Sequence, residues 1–306
     1  MNLPPFSSGN RFWKGNLHGH SDHSDGAQPA SEVARTYAQL GYDFTCISDH
    51  LWHSGGFAAS TVFDPNGVDS HGLLLIPSAE MHCRGKLHDD HGLWHIVANG
   101  LPVDFPCADD QETAPQLIAR AKEAGAFVAL AHPEWYCMTM QEALTCAHAD
   151  AIEVYNHSCH IECDRGSGIA VADFMLNMGH RLNFTATDDS HLRIRDAGGG
   201  WVMVAASELS EQAILASLKA GHYYSSTGPG ILDVRLEGRE LWVECSPASN
   251  IIVASAGYLS ASEQGEGLTS ARIDLGDFTA DYFRIAVHDA ERGRAWTNPY
   301  WFDQLG

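Results

Sequence analysis

Phe12-Trp13-Lys14-Gly15-Asn16-Leu17 runs directly into His18-Gly19-His20, and Ser24-Asp25-Gly26 follows within the next turn. The first six residues read as a β-strand. Beyond it, residues two apart in extended chain point to one side, so both imidazoles can reach a single ion. Alone, such a pair is unspecific. The arrangement recurs, however, wherever an apolar run ends. Phe44–Ile47 leads to Ser48-Asp49-His50, and Leu73–Ile76 leads to Ser78-Ala79-Glu80. His95 lies within the run Trp94–Ala98. Phe127–Leu130 leads to Ala131-His132-Pro133, Ala151–Tyr155 to Asn156-His157, and Asn183–Thr187 to Asp188-Asp189-Ser190-His191.

Between these runs lie amphipathic helices. One carries Val33, Tyr37 and Leu40 on a single face and stops at Gly41. Thr113-Ala114-Pro115-Gln116 opens a second with a capping box and a proline in its first turn, and Gly125 ends it. Two more end near Gly179 and at Gly221. Strand–helix alternation of this kind predicts an α/β fold with a parallel sheet, open or closed into a barrel. Active sites of parallel α/β barrels gather at the C-terminal ends of the strands, where most of the histidines and acids fall. After Ser226-Thr227-Gly228 the pattern changes to short β runs: Ile231–Leu236, Leu241–Cys245, Ile251–Ala254, Ala271–Leu275 and Tyr282–Val287. The expectation is a barrel over 1–228 and a small β-rich, sandwich-like domain over 229–306.

Composition narrows the function. The 306 residues include 18 histidines, as many as lysine and arginine together, and neutral imidazole is the commonest side-chain metal ligand. A net charge of −21 without a basic stripe argues against a long nucleic acid as partner. No apolar run is long enough to span a bilayer, and Met1–Pro5 has no secretory character, so the expected location is the cytoplasm. The eight scattered cysteines form no closely spaced pairs and read as free thiols.

Taken in order, His18-x-His20, Ser24-Asp25-Gly26, Ser48-Asp49-His50, Glu80, His95-Ile96-Val97, His132-Pro133 and Asp189-x-His191 resemble the motifs of the PHP (polymerase and histidinol phosphatase) family. The likeness spans about two-thirds of the chain. It implies a distorted seven-stranded β/α barrel of the PHP type, two or three divalent ions, and hydrolysis, best known on phosphoesters. Tyr224–Pro229 and Ala295–Pro299 resemble a branch with a small C-terminal β domain, which includes carbamate and amide hydrolases. Carried over residue by residue, the resemblance gives His18, His20, Glu80 and Asp189 to a first ion. Glu80 then bridges to a second held by His95 and His132, and Asp25, His50 and His191 hold a third. A metal-bound hydroxide held by Glu80, His132 and Asp189 is the implied nucleophile.

This mixture of imidazoles and carboxylates suits zinc, manganese or iron better than magnesium or calcium. The surplus positive charge of such a pocket predicts a small anionic substrate, a phosphate ester first among them. Hydrolysis of an amide, carbamate or carboxylic ester by the same site, and a non-catalytic metal-binding module, are the alternatives. His82, His88 and His91 compete with His95 for its place; the apolar strand around His95 favours it. Asp49 is either a partner that orients His50 or a turn cap. Asn156, His157 and Arg165 are candidates for a supporting or substrate-binding role. Arg193 and Arg195 are either a phosphate clamp or surface ion pairs, and Gly198-Gly199-Gly200 reads as a flexible connection.

Overall fold

The computed structural model describes residues 1–53, 55–89 and 91–305. The first half alternates as the apolar periodicity requires. Strand β1 (Arg11–Asn16) is followed by helix α1 (Ala30–Gln39), β2 (Phe44–Ile47), a short β3 (His50–Leu51), β4 (Leu74–Arg84) and β5 (Leu93–Asn99). Then come α2 (Ala114–Glu123), β6 (Phe127–Leu130), α3 (Met140–Thr145), β7 (Ala151–Asn156), α4 (His157–Cys163), α5 (Ile169–Asn177) and β8 (Asn183–Thr187). Helix α1 buries Ala30, Val33, Ala34 and Tyr37 on one face, and Gly41 reverses the chain at φ 73°. The Thr113–Gln116 capping box is present at the start of α2. All four residues of β2 are buried, as expected for a strand covered on both faces.

The sheet is less uniformly parallel than the alternation predicts. β1–β2, β2–β4, β6–β7 and β7–β8 are parallel, but β5 runs antiparallel to both β4 and β6. The cause is the 85–92 connection, which is too short for a helical crossover and turns the chain straight back. β4 also continues through Glu80 to Arg84, so Glu80 sits inside a long strand rather than at its end. The strands β1, β2 and β4 to β8 are consecutive along the sheet, and a parallel bridge between Gly19 and Ser190 joins the segments just beyond β1 and β8.

Past β8 the chain forms β9 (Trp201–Ala206), α6 (Glu211–Lys219), β10 (Tyr223–Ser226) and β11 (Ile231–Glu237). It ends with β12 (Glu240–Ala254), β13 (Ser260–Asp274), β14 (Tyr282–His288), β15 (Arg294–Thr297) and β16 (Tyr300–Trp301). These strands do not make a sheet of their own. β9 pairs with β1, and β10 joins β9 to β15, so one ladder continues from the first region into the last. The runs Leu241–Cys245 and Ile251–Ala254 belong to the single strand β12. Register shifts on either side of Ala248 absorb Pro247 in irregular pairing, where a missing N–H is tolerated. β13 begins well before Ala271 because it pairs with β12 along its whole length; its first ten residues are mostly exposed, which leaves no alternation to read.

A second apolar core lies here, around Val234, Val243, Val253, Ile285 and Val287. Leu3 belongs to it, and its N–H donates to the Val234 carbonyl at 2.8 Å, so the first residues pack on the last region. Trp296 and Trp301 join the core of the first region and so pack between the two. Among the described residues, no helix is long and apolar enough to cross a membrane.

Candidate metal centre

The side chains expected to meet do meet. Glu80 is buried, and its carboxylate stands at the middle of a shell of imidazoles. Oε1 lies 2.7 Å from His95 Nδ1 and 3.1 Å from His132 Nε2. Oε2 lies 2.7 Å from His50 Nδ1, 3.5 Å from His18 Nε2 and 3.6 Å from His20 Nε2. Asp189 Oδ1 approaches His20 Nε2 at 2.9 Å and His18 Nε2 at 3.1 Å. On the outer side, Asp25 Oδ1 lies 3.3 Å from His191 Nε2 and 3.5 Å from His50 Nε2.

Three sets of donor atoms are each compact enough for one ion, all members lying within 4.8 Å of one another. They are His18, His20, Glu80 and Asp189; His20, Asp25, His50 and His191; and His50, Glu80, His82 and His95. The first reproduces the set implied by the motifs. The second adds His20, and the third brings in His50 and His82 and leaves out His132. His132, expected beside Glu80 and His95, is within reach of Glu80 and 3.9 Å from Asp189 Oδ2.

The fit to metal rests on atoms that protein partners leave unsatisfied. His18 Nε2, His20 Nδ1, Asp25 Oδ1, Glu80 Oε2 and His132 Nδ1 are buried without a hydrogen bond. Buried polar atoms are almost always paired, and four of these belong to groups aimed at shared points, which is what cation ligands require. Without cations, protons and charge pairs take that role. Burial pushes the Glu80 carboxyl up, but His50, His95 and His18 outweigh it and hold it well below the usual range. Burial and the neighbours His191 and His50 bring His20 down to about 3. Burial lowers His95 and His191 too, but Glu80 and Asp89 around the first, and Asp25 and Asp189 around the second, raise each to about 9.

A second layer sets the orientations. Glu153 is buried in β7; its Oε1 lies 2.7 Å from His18 Nδ1 and accepts the Thr187 hydroxyl at 2.9 Å. Its Oε2 accepts the His132 N–H at 2.7 Å and an Asn156 amide hydrogen at 2.9 Å. With Glu153 holding Nδ1, His18 would present Nε2 to a metal ion, the usual carboxylate–histidine support of a metal ligand. His132 (φ 22°) and Asp189 (φ 54°) adopt left-handed backbone. Each such residue costs about 1–3 kcal/mol unless its surroundings over-determine it. The Glu153 bond to His132 N, and the bond from Asp189 N to His18 O at 2.8 Å, do so. Asp189 and His191 thus share a face through a turn and not through strand alternation; β8 has already ended at Thr187.

Several expectations change. Asp49 does not touch His50: it accepts from Ser21 N at 2.7 Å, Ser21 Oγ at 2.7 Å and Ser24 Oγ at 2.6 Å, and so anchors the turn that carries Asp25. Gly198-Gly199-Gly200 is not a loose connection. Its three amides donate to the Asp188 carboxylate at 2.7–2.8 Å. A Cβ at Gly199 would come within 2.2 Å of the His157 ring, and one at Gly200 within 2.6 Å of the Thr187 carbonyl. Asn156 donates to Glu153 and Asp189 and positions ligands. His157 pairs with the Tyr155 hydroxyl at 2.9 Å, and Arg165 is exposed beside the Trp135 carbonyl; neither lines the cleft. His88 and His91, competitors of His95 in the sequence, are exposed. All eight cysteines are free.

The centre opens into a cavity of about 230 Å³ lined by Asp25, His50, Glu80, His95, His132 and Asp189, with Trp135, Ser158, Glu162 and Arg193 on its wall. Arg193 Nη2 lies 3.2 Å from Asp25 Oδ2. Sequence reasoning missed Trp135 and Glu162, which sit on irregular chain or a short helix and carry no periodic signal. It gave Glu153 no definite role, although a carboxylate inside the apolar run Ala151–Val154 requires a partner.

No family model and no curated protein sequence matches the chain. Solved structures do. A two-domain protein of Bacteroides vulgatus, described as containing a predicted PHP-like metal-dependent phosphoesterase, is 16% identical with a TM-score of 0.50, and the match covers 98% of each chain. A protein of Bifidobacterium adolescentis described as a metal-dependent phosphoesterase is 16% identical (TM-score 0.40), over 62% of this chain and 89% of that one. An amidohydrolase from Chromobacterium violaceum is 14% identical (TM-score 0.44), over 60% and 89%. The first of these matches across nearly the whole of both chains, and on that match this chain shares its PHP-like fold.

Proposed function

We propose that the chain is a metal-dependent hydrolase acting on a small phosphorylated substrate. One observation carries the reading: a buried carboxylate, Glu80, lies 2.7–3.6 Å from nitrogens of five imidazoles, and its Oε2 and the His18 Nε2 facing it are buried without a hydrogen bond. His18, His20, Glu80 and Asp189 would hold one ion, Glu80, His95 and His132 a second, and Asp25, His50 and His191 a third. Bound zinc, manganese or iron would supply Lewis-acid charge and acidify water, with only three carboxylates opposing it.

The chain's own residues do the rest. Glu80, His132 and Asp189 border the point where the attacking water is oriented. Glu153 holds His18 and His132 in register. Arg193, on the cavity wall, offers its guanidinium to an anionic oxygen of the substrate once it turns from Asp25. The small cavity admits one ester group and excludes a folded polymer. The same reading divides the chain at about residue 228 and takes β1, β2 and β4 to β8 as a distorted seven-stranded barrel, which the Gly19–Ser190 bridge supports.

A second reading keeps the centre and replaces the substrate with an amide, carbamate or carboxylic ester. It is favoured by Glu162 on the wall and by the engagement of Arg193 with Asp25, both of which lower the pull on a dianion. Parallel assays of nitrophenyl phosphate, its bis-ester and nitrophenyl acetate, with elemental analysis of the protein, separate the two. Phosphate turnover dependent on bound metal is expected; acetate turnover without phosphate turnover overturns the first reading.

A further inference from the structure

His82 belongs to none of the ligand sets implied by the motifs, yet it is fully buried and lies against the centre. It stands opposite His95 in the β4–β5 ladder, its ring centroid 4.4 Å from that of His95 and 4.9 Å from that of His50. Its Nδ1 lies 2.9 Å from the Trp94 carbonyl, and its Nε2 lies 2.9 Å from His50 Nδ1. A carbonyl oxygen can only accept, so the proton of His82 sits on Nδ1. His50 Nδ1 lies between His82 Nε2 and Glu80 Oε2, the latter at 2.7 Å, and a carboxylate, like a carbonyl, only accepts. The proton therefore sits on His50 Nδ1, facing Glu80 Oε2 and His82 Nε2. That leaves His50 Nε2 as a lone pair, and Nε2 is the atom that faces Asp25 at 3.5 Å.

We infer that His82 is a positioning residue that acts beside Glu80 to fix His50 as a metal ligand through Nε2, by a relay of hydrogen bonds ending on the Trp94 carbonyl. The inference rests on the metal-centre reading and deepens it. It gives His50 to the ion shared with Asp25 and His191, and it assigns to His82 the orienting part that Asp49 does not play. His18 is supported in the same way by Glu153, with a carboxylate in place of the second imidazole.

The test is zinc binding by the full chain, competed against a chromophoric chelator, with long-range nitrogen–proton spectra of the histidine rings in the zinc-loaded protein. In the wild type, the His50 ring is expected to show a protonated Nδ1 and a metal-bound Nε2. His82→Leu should weaken one zinc site about ten- to a hundredfold and leave the others unchanged. His82→Gln, which restores an acceptor, should recover most of that loss. Three results overturn the inference: a His50 ring protonated on Nε2, a His82→Leu protein that is folded with every zinc affinity intact, or a zinc-bound His82 nitrogen in the wild-type spectra. If His82→Leu does not fold, the His82→Gln titration and the wild-type ring spectra decide. Wild-type protein that binds no zinc overturns the metal reading itself, and this inference with it.

Discussion

The two ends of the continuous sheet bury opposite kinds of side chain. Around β12 and β14 the interior is Val243, Ile251, Val253, Ile285 and Val287, and among the described residues no group of histidines, cysteines and acids compact enough for an ion lies there. At the mouth of β1, β2, β4 and β8, equally buried positions hold His18, His20, Glu80, Asp188 and Asp189. Apolar burial near β14 stabilises the fold by itself. A buried carboxylate–imidazole cluster costs stability unless each atom is paired, and several here are not. On the proposed metal reading the polar end is maintained for ligands, while the apolar end is a scaffold.

The largest effect that could break this comparison is expected from Glu80→Ala. It leaves five imidazoles without their shared acceptor. Bound metal should fall, and turnover should drop on the order of a thousandfold. Near-normal metal content and rate would show that the cluster is not the active centre. Asp188→Ala removes the acceptor of three backbone amides and of the Tyr37 hydroxyl. A loss of about 3 kcal/mol in urea unfolding is expected, because buried donors are stranded. An unchanged midpoint would mean that the triple glycine is loose after all.

Smaller effects sharpen the contrast. Arg193→Ala should raise KM about tenfold for a phosphate ester and much less for a neutral ester, the loss of one charge-assisted bond. Equal changes for both substrates would remove Arg193 from anion binding. In the scaffold, Ile285→Val should cost about 1 kcal/mol of stability and leave kcat of the folded protein unaltered. A parallel fall in kcat would mean that the last region shapes the centre directly. Arg165→Ala, outside the cavity, should leave kcat/KM within about twofold of the wild type; a tenfold loss would return it to the substrate site.

Much of the centre was legible because its ligands follow apolar runs, where periodicity fixes position and facing. His18 and His20 leave β1 on one side, and His132 closes β6. Glu80, read as ending a strand, and His95, read within an apolar one, both lie inside strands, and pairing of those strands brings their side chains to 2.7 Å. Less was legible where geometry depends on pairing partners. The reversal of β5 follows from the short 85–92 turn, and the length of β13 follows from pairing with β12, not from its own polar residues. Asp49 is next to His50 in the chain but serves Ser21 and Ser24.

The sequence by itself determined the alternating α/β order, the change of pattern near residue 228 and the residues that converge, since these depend on local periodicity and donor chemistry. Only the tertiary structure decided which nitrogen each imidazole presents, what Asp188 and the three glycines do for one another, and that His82 stands behind His50. Those outcomes depend on distances of a few ångströms between segments far apart in the chain, and no local pattern encodes them.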